Sequence, residues 1–167
     1  ARLSFAEFFA RADTLRASLE SEGMKSGDRF AIALRNNADW RIGCTAAFLA
    51  GATVVPINSW GQAPELTFAV NDCEASWLLC DDQRAHMLDA QLPTERRLVV
   101  YERTEPGSCR GVCVEDASSS DAPAEVTLPS ADEVCLILYT SGSTGAPKGV
   151  IHCQQALSQA VFNMMFT

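Results

Sequence analysis

The stretch from Asp28 to Asn58, DRFAIALRNNADWRIGCTAAFLAGATVVPIN, reads as strand, helix, strand, and each element carries its own pattern. "RFAIAL" after the turn at Lys25–Asp28 is a run of strand length with no turn residue inside it. "ADWRIGCTAAFLA" places apolar residues at helical spacing and stops at Gly51, a residue that closes a helix without steric cost. "TVVPIN" is short and β-branched, a second strand. Two strands joined by a single helix pair in parallel, because the crossover returns the chain to the end of the sheet from which it started.

The same alternation extends in both directions. Upstream, "LSFAEFFARADTLRASLESEG" predicts an amphipathic helix: Ser4 and Glu7 have capping-box spacing, Phe5, Phe8, Phe9, Ala12, Leu15 and Leu19 form the apolar stripe, and Gly23 can close it. Downstream, "PELTFAVNDC" is a helix with proline in its first turn, "SWLLCD" a strand, "QRAHMLDAQL" a helix and "RLVVYE" a strand. The fold class is therefore α/β, a mostly parallel, Rossmann-like sheet with helices on both faces. From Thr104 the composition shifts to Ser, Pro, Gly and acids, with one short apolar pair at Val112 and Val114. The expected organisation is a first α/β part over 1–103, a surface excursion over 104–130 with at most one small strand, and a further part of the same domain over 131–167. In that last part "EVCLILY" is a strand, "GVIH" a returning strand and "QQALSQAVFNMMF" a helix whose apolar run to Thr167 looks cut.

With 167 residues, 47% of them hydrophobic and 20% charged, the chain can bury a core. Its formal net charge of −8 argues against general binding to nucleic acid or anionic membrane, which need a broad basic field. The start, "ARLSFAEFFARAD", lacks the basic and apolar halves of a secretory signal, and no run is long enough to span a bilayer, so a cytoplasmic setting is expected. Seven cysteines, Cys44, Cys73, Cys80, Cys109, Cys113, Cys135 and Cys153, are scattered and odd in number, which speaks against a disulfide framework. "CRGVC" has no second pair at a zinc-finger distance, and no metal site is assigned.

The chemistry concentrates in "LYTSGSTGAPKGVIH", Leu138 to His152. Converging backbone N–H groups, short hydroxyls and a mobile cation together bind phosphate. Thr140, Ser141, Ser143 and Thr144 supply hydroxyls, Gly142, Gly145 and Gly149 are read as hinges, and Lys148 is the cation. This is not the P-loop order, since Pro147 precedes Lys148, Gly149 follows it, and a strand rather than a helix comes next. On residue types alone a plain connector loop remains the alternative.

"YTSGSTGAPKGV", Tyr139 to Val150, closely resembles the signature of the adenylate-forming, AMP-binding superfamily, which includes acyl-CoA synthetases, firefly luciferase and peptide-synthetase adenylation domains. The chain is also similar to that family's early region: "GDRF" leads a strand, "AFLAGATVVPIN" joins helix to strand, and "LSFAEFFARADTLRASLESEGMKSGD" looks like its first helix. The resemblance implies an incomplete part of the large N-terminal domain of the adenylate-forming fold. It also implies the activity: a carboxylate, taken as a fatty acid, attacks the α-phosphorus of ATP with magnesium, pyrophosphate leaves, and the acyl group passes to coenzyme A. By the same resemblance Thr140, Ser141, Gly142, Ser143, Thr144 and Gly145 wrap the β- and γ-phosphates and Lys148 offsets their charge.

Other residues depart from the pattern or stay open. Cys153 and Gln154 stand where many relatives have a hydroxyl residue and then histidine, and His152 falls one residue before the hydroxyl position. The plainer reading of His152 is packing at a strand end, and His86 on a helix has less claim still. Trp60 in "NSW" resembles a subset of acyl-CoA synthetases and is equally read as one more buried aromatic. The family's magnesium-associated glutamate, ribose-binding aspartate and C-terminal lysine have no counterpart here. No catalytic residue is assigned, and the chain is expected to be an N-terminal piece that does not turn over alone. A peptide-synthetase adenylation domain, a kinase-like phosphate-loop protein and a non-catalytic nucleotide-binding relative are the alternatives.

Overall fold

The computed structural model describes residues 2–88, 91–92, 129–140 and 147–166, together with the backbone of 97–101 and 112–113. Helix α1 (Phe5–Ser21) leads into β1 (Arg29–Ala33), α2 (Ala38–Leu49), β2 (Thr53–Pro56), α3 (Ala63–Asp72), β3 (Trp77–Asp81) and α4 (Asp82–Leu88). Strands β4 (Arg97–Tyr101), β5 (Val112–Cys113), β6 (Val134–Thr140) and β7 (Lys148–Cys153) and helix α5 (Gln154–Met165) follow. One seven-stranded sheet holds them in the order β5-β4-β3-β1-β2-β6-β7, parallel throughout except for the antiparallel pair β6 and β7.

Strand alternation sorts the core into two layers. Phe30, Ile32, Val54, Trp77 and Leu79 point to one face and pack under Ala12, Leu15 and Leu19 of α1 and Ile42, Ala46 and Ala47 of α2. Ala31, Ala33, Val55, Leu78 and Cys80 point to the other and meet Leu66, Ala69 and Val70 of α3 and Ala85 and Leu88 of α4. The helices after β2 and β3 thus cover the face opposite to the helix after β1. The carboxyl ends of these three strands form the kind of edge at which doubly wound sheets bind ligands.

Local chemistry sets the helix limits. The Ser4 hydroxyl accepts from Glu7 N–H at 3.2 Å while the Glu7 carboxylate accepts from Ser4 N–H at 2.8 Å, completing the capping box. Asn37 caps α2 through Trp40 N–H at 2.9 Å. Helix α4 begins directly after β3, one residue earlier than its sequence pattern indicates, because the Asp81 carboxylate accepts from Arg84 N–H at 2.9 Å. Helix α2 closes with Gly51 at φ 72°, its N–H bonded to Phe48 C=O and that of Ala52 to Ala47 C=O. Helix α3 closes by the same pair of bonds, but the left-handed residue is Glu74 at φ 49°, which no sequence signal announces.

Gly51 is the more stringent position, since a Cβ there would lie 2.6 Å from Ser26 Oγ and 3.1 Å from Ser26 Cβ. Gly51→Ala is therefore expected to cost about 2 kcal/mol, from the left-handed backbone and the Ser26 contact together, read as a lowered urea midpoint at unchanged slope.

Candidate functional site

Hairpin β6–β7 lies at one end of the sheet, and its register sets the site. Tyr139 pairs with Gly149 and Thr140 with Lys148, so those two predicted phosphate-binding residues face each other across the closing end of the hairpin. Both are exposed. Thr140 Oγ1 donates to Lys148 C=O at 3.4 Å, a long bond that a stronger acceptor can displace. The Lys148 ammonium makes no ion pair with any described residue, which leaves it available to an external anion. Ser141, Gly142, Ser143, Thr144 and Gly145 lie outside the described residues.

Gly149, read from sequence as a hinge, has a different role. It sits inside β7, and a Cβ there would come within 3.0 Å of Ile137 Cγ2 and 3.5 Å of Tyr139 Cζ. The missing side chain makes room for the Tyr139 ring. Tyr139 in turn donates its hydroxyl to Asp72 Oδ2 at 2.6 Å, with Ala69 C=O at 3.3 Å, fastening the end of β6 to the last turn of α3. Burial first, and then the bond to the Asp72 carboxylate, hold the Tyr139 hydroxyl well above its ordinary range, so the proton stays on oxygen. Tyr139→Phe is expected to lower stability by about 1–2 kcal/mol in chemical unfolding, whereas Asp72→Asn, whose amide oxygen still accepts, should cost less. Sequence reading named Tyr139 only as part of the motif; its partner is 67 positions away and has no local signal.

A second cluster lies at the carboxyl ends of β1, β2 and β3. Arg84, with a buried side chain, directs Nε at 2.9 Å and Nη2 onto Ser59 C=O, and Nη1 onto Asp81. This fixes the turn that presents Trp60, which is 75% exposed rather than buried. The Arg35 guanidinium lies 3.2 Å from the centre of the Trp60 ring. Sequence reading missed Arg35 and Arg84; the usable signal was their position just after a strand and in the first turn of the next helix.

His152 is half-buried in β7 opposite Leu136, and His86 lies 3.6 Å from Asp82 on the exposed side of α4. Of the "CRGVC" pair, Cys109 lies outside the described residues and only the backbone of Cys113 lies within them. Among the described residues no three histidine, cysteine or carboxylate groups gather at one point, so no ligand for magnesium is assigned. No described helix is long and apolar enough to cross a membrane.

The profile of the family described as AMP-binding enzyme matches residues 1–167. The chain is 30% identical over 167 residues to 2-succinylbenzoate--CoA ligase of Bacillus licheniformis, covering 96% of this chain and 32% of that protein. It is 27% identical over 163 residues to the nonribosomal peptide synthetase NPS2 of Ceriporiopsis subvermispora, covering 96% of this chain and 6% of that protein. Its backbone matches the crystal structure of ATP-bound MatB from Rhodopseudomonas palustris with a TM-score of 0.79 at 26% identity, over 97% of this chain and 32% of that one. The chain thus spans about a third of the length of that ligase and of that crystallised chain.

Proposed function

We propose a function from one premise: this chain belongs to the AMP-binding enzyme family. The protein that contains it is an ATP-dependent acid–thiol ligase. It activates a carboxylic acid, of the fatty type, as an acyl-adenylate and passes the acyl group to coenzyme A. Residues 1–103 and 131–167 belong to one large domain, whose sheet also takes in Val112–Cys113 of the intervening segment as β5. The observation that carries the reading is the pairing of Thr140 with Lys148 at the ends of two strands that enclose a Ser/Gly-rich segment.

In the first step a carboxylate oxygen attacks the α-phosphorus of ATP, the bond from that phosphorus to the bridging oxygen breaks, and pyrophosphate leaves with the electron pair. Charge accumulates on the departing β- and γ-phosphates, so the contribution of this chain is electrostatic and positional. Lys148 places a cation beside the leaving group, and the Thr140 hydroxyl turns from Lys148 C=O to a phosphate oxygen. Tyr139, held by Asp72, fixes the strand end from which both act. Magnesium, when bound with the nucleotide, supplies further charge neutralisation; its ligands are not assigned within this chain.

A second reading, an adenylation domain of a peptide synthetase, is favoured by the match to the nonribosomal peptide synthetase NPS2 over almost the whole chain. Exchange of labelled pyrophosphate into ATP, run on the full-length protein with a panel of carboxylic and amino acids, tests both. Fatty-acid-dependent exchange followed by acyl-CoA formation supports the ligase, and amino-acid-dependent exchange supports the second reading. Exchange with neither, from folded protein, overturns adenylation altogether.

A further inference from the structure

Cys135 and Cys153 occupy neighbouring strands at the open end of the β6–β7 hairpin, opposite Thr140 and Lys148. The register shifts between Val134 and Leu136: Val134 is paired with Cys153 and Leu136 with His152, leaving Cys135 as the extra residue of a β-bulge against Cys153. Ile137 faces Ile151 and Tyr139 faces Gly149, and Ile137 and Tyr139 pack on the α3 side of the sheet. Stepping forward by two from Ile151 puts Cys153 on that side of β7, and the register shift sets Cys135 beside it on the neighbouring strand. Cys135 Sγ lies 3.5 Å from His152 C=O, an oxygen on the peptide unit that leads into Cys153. Standard peptide dimensions then keep that sulfur within about 6 Å of Cys153 Cα, so closing a bond between the two sulfurs needs a rotation of the side chains and a small adjustment of the strands.

The two thiols also differ in access. Cys135 is 1% exposed and Cys153 half-buried, so an outside reagent meets Cys153 first and Cys135 is its resolving partner. Burial first, and then the neighbouring Cys153, push the Cys135 thiol up, and burial pushes that of Cys44 up to about 11, so neither is the first thiol to react.

We propose that Cys135 and Cys153 form a reversible redox pair that a small-molecule disulfide, such as glutathione disulfide, oxidises to a cross-strand bond. The Cys153 thiolate attacks one sulfur of the reagent, displacing one thiolate and forming a mixed disulfide. Cys135 then loses its proton to solvent and attacks the Cys153 sulfur, expelling the second thiolate. Two protein thiols become one disulfide and one small disulfide becomes two thiols. The bond ties β6 to the residue that caps α5 and braces the hairpin from its far end.

The test uses the full-length protein, reduced, then held folded in glutathione disulfide, acid-quenched, alkylated and digested. Cleavage after Lys148 leaves Cys135 and Cys153 on separate peptides, and mass spectrometry reads their linkage. The expected result is a linked Cys135–Cys153 pair that excess dithiothreitol returns to free thiols. Cys135→Ser should retain glutathione on Cys153, and Cys153→Ser should leave Cys135 unmodified. Both thiols free in the folded protein, either one linked to a different cysteine, or linkage only after unfolding in guanidinium would overturn the proposal.

Discussion

Replacing Lys148 with alanine is expected to lower acid-dependent pyrophosphate exchange by roughly 10- to 100-fold, the equivalent of losing one charge-assisted phosphate contact worth about 1.5–3 kcal/mol. The side chain is exposed and without an ion pair among the described residues, so its removal strands no partner among them. Folding stability should move by less than about 0.5 kcal/mol, as for an ordinary surface substitution. The separation of the two readouts makes the experiment decisive: a loss of exchange with an unchanged unfolding curve assigns the cation to the nucleotide. Lys148→Arg keeps the charge and should recover part of the rate. The geometry of the guanidinium fork differs from that of an ammonium, so recovery should be incomplete. Equal exchange by the wild type and Lys148→Ala would remove Lys148 from the phosphate site while leaving the family's chemistry in place.

What could be read in the sequence, and what could not, divides along the range of the interactions. The alternation of β1, α2 and β2 was legible because the strands are short apolar runs and the helix between them has helical spacing, and the capping box of α1 because its two partners are three residues apart. The return of β7 against β6 followed from "GVIH" lying so soon after a strand. The rest depends on residues brought together from afar. Gly149 looks like a hinge beside other glycines, yet its neighbour across the sheet, Tyr139, makes it a gap. Trp60 looks like a core aromatic until Arg35, 25 positions earlier, is found at its ring. The bulge that brings Cys135 to Cys153 is a matter of register, which hydrophobic pattern does not encode for a strand with apolar residues on both faces. Of the residues that the resemblance assigns to the phosphates, only Thr140 and Lys148 have described positions.

Gly43 is expected to resist any larger side chain, for a reason that chain composition conceals. In a helix interior glycine costs about 1 kcal/mol relative to alanine, so Gly43→Ala would ordinarily stabilise α2. Here the added Cβ would stand 2.1 Å from Leu79 Cδ2, and Leu79 is fully buried between α2 and the sheet. The methyl group can be accommodated only by moving that leucine or the helix, and overpacking of this kind costs about 1–3 kcal/mol. Gly43→Ala should therefore come out neutral to destabilising by about 2 kcal/mol, and Gly43→Val, with two more carbons directed at the same place, by about 3 kcal/mol or more. The cause can be isolated with a second change. Leu79→Ala alone should cost about 2–5 kcal/mol by opening a cavity, and Gly43→Ala in that background fills part of the space it collides with in the wild type. The double variant is then expected to be more stable than the sum of the single changes by about 1–2 kcal/mol, measured by urea unfolding of all four proteins. Strict additivity would place the clash elsewhere and would mean that α2 does not approach β3 closely at this residue.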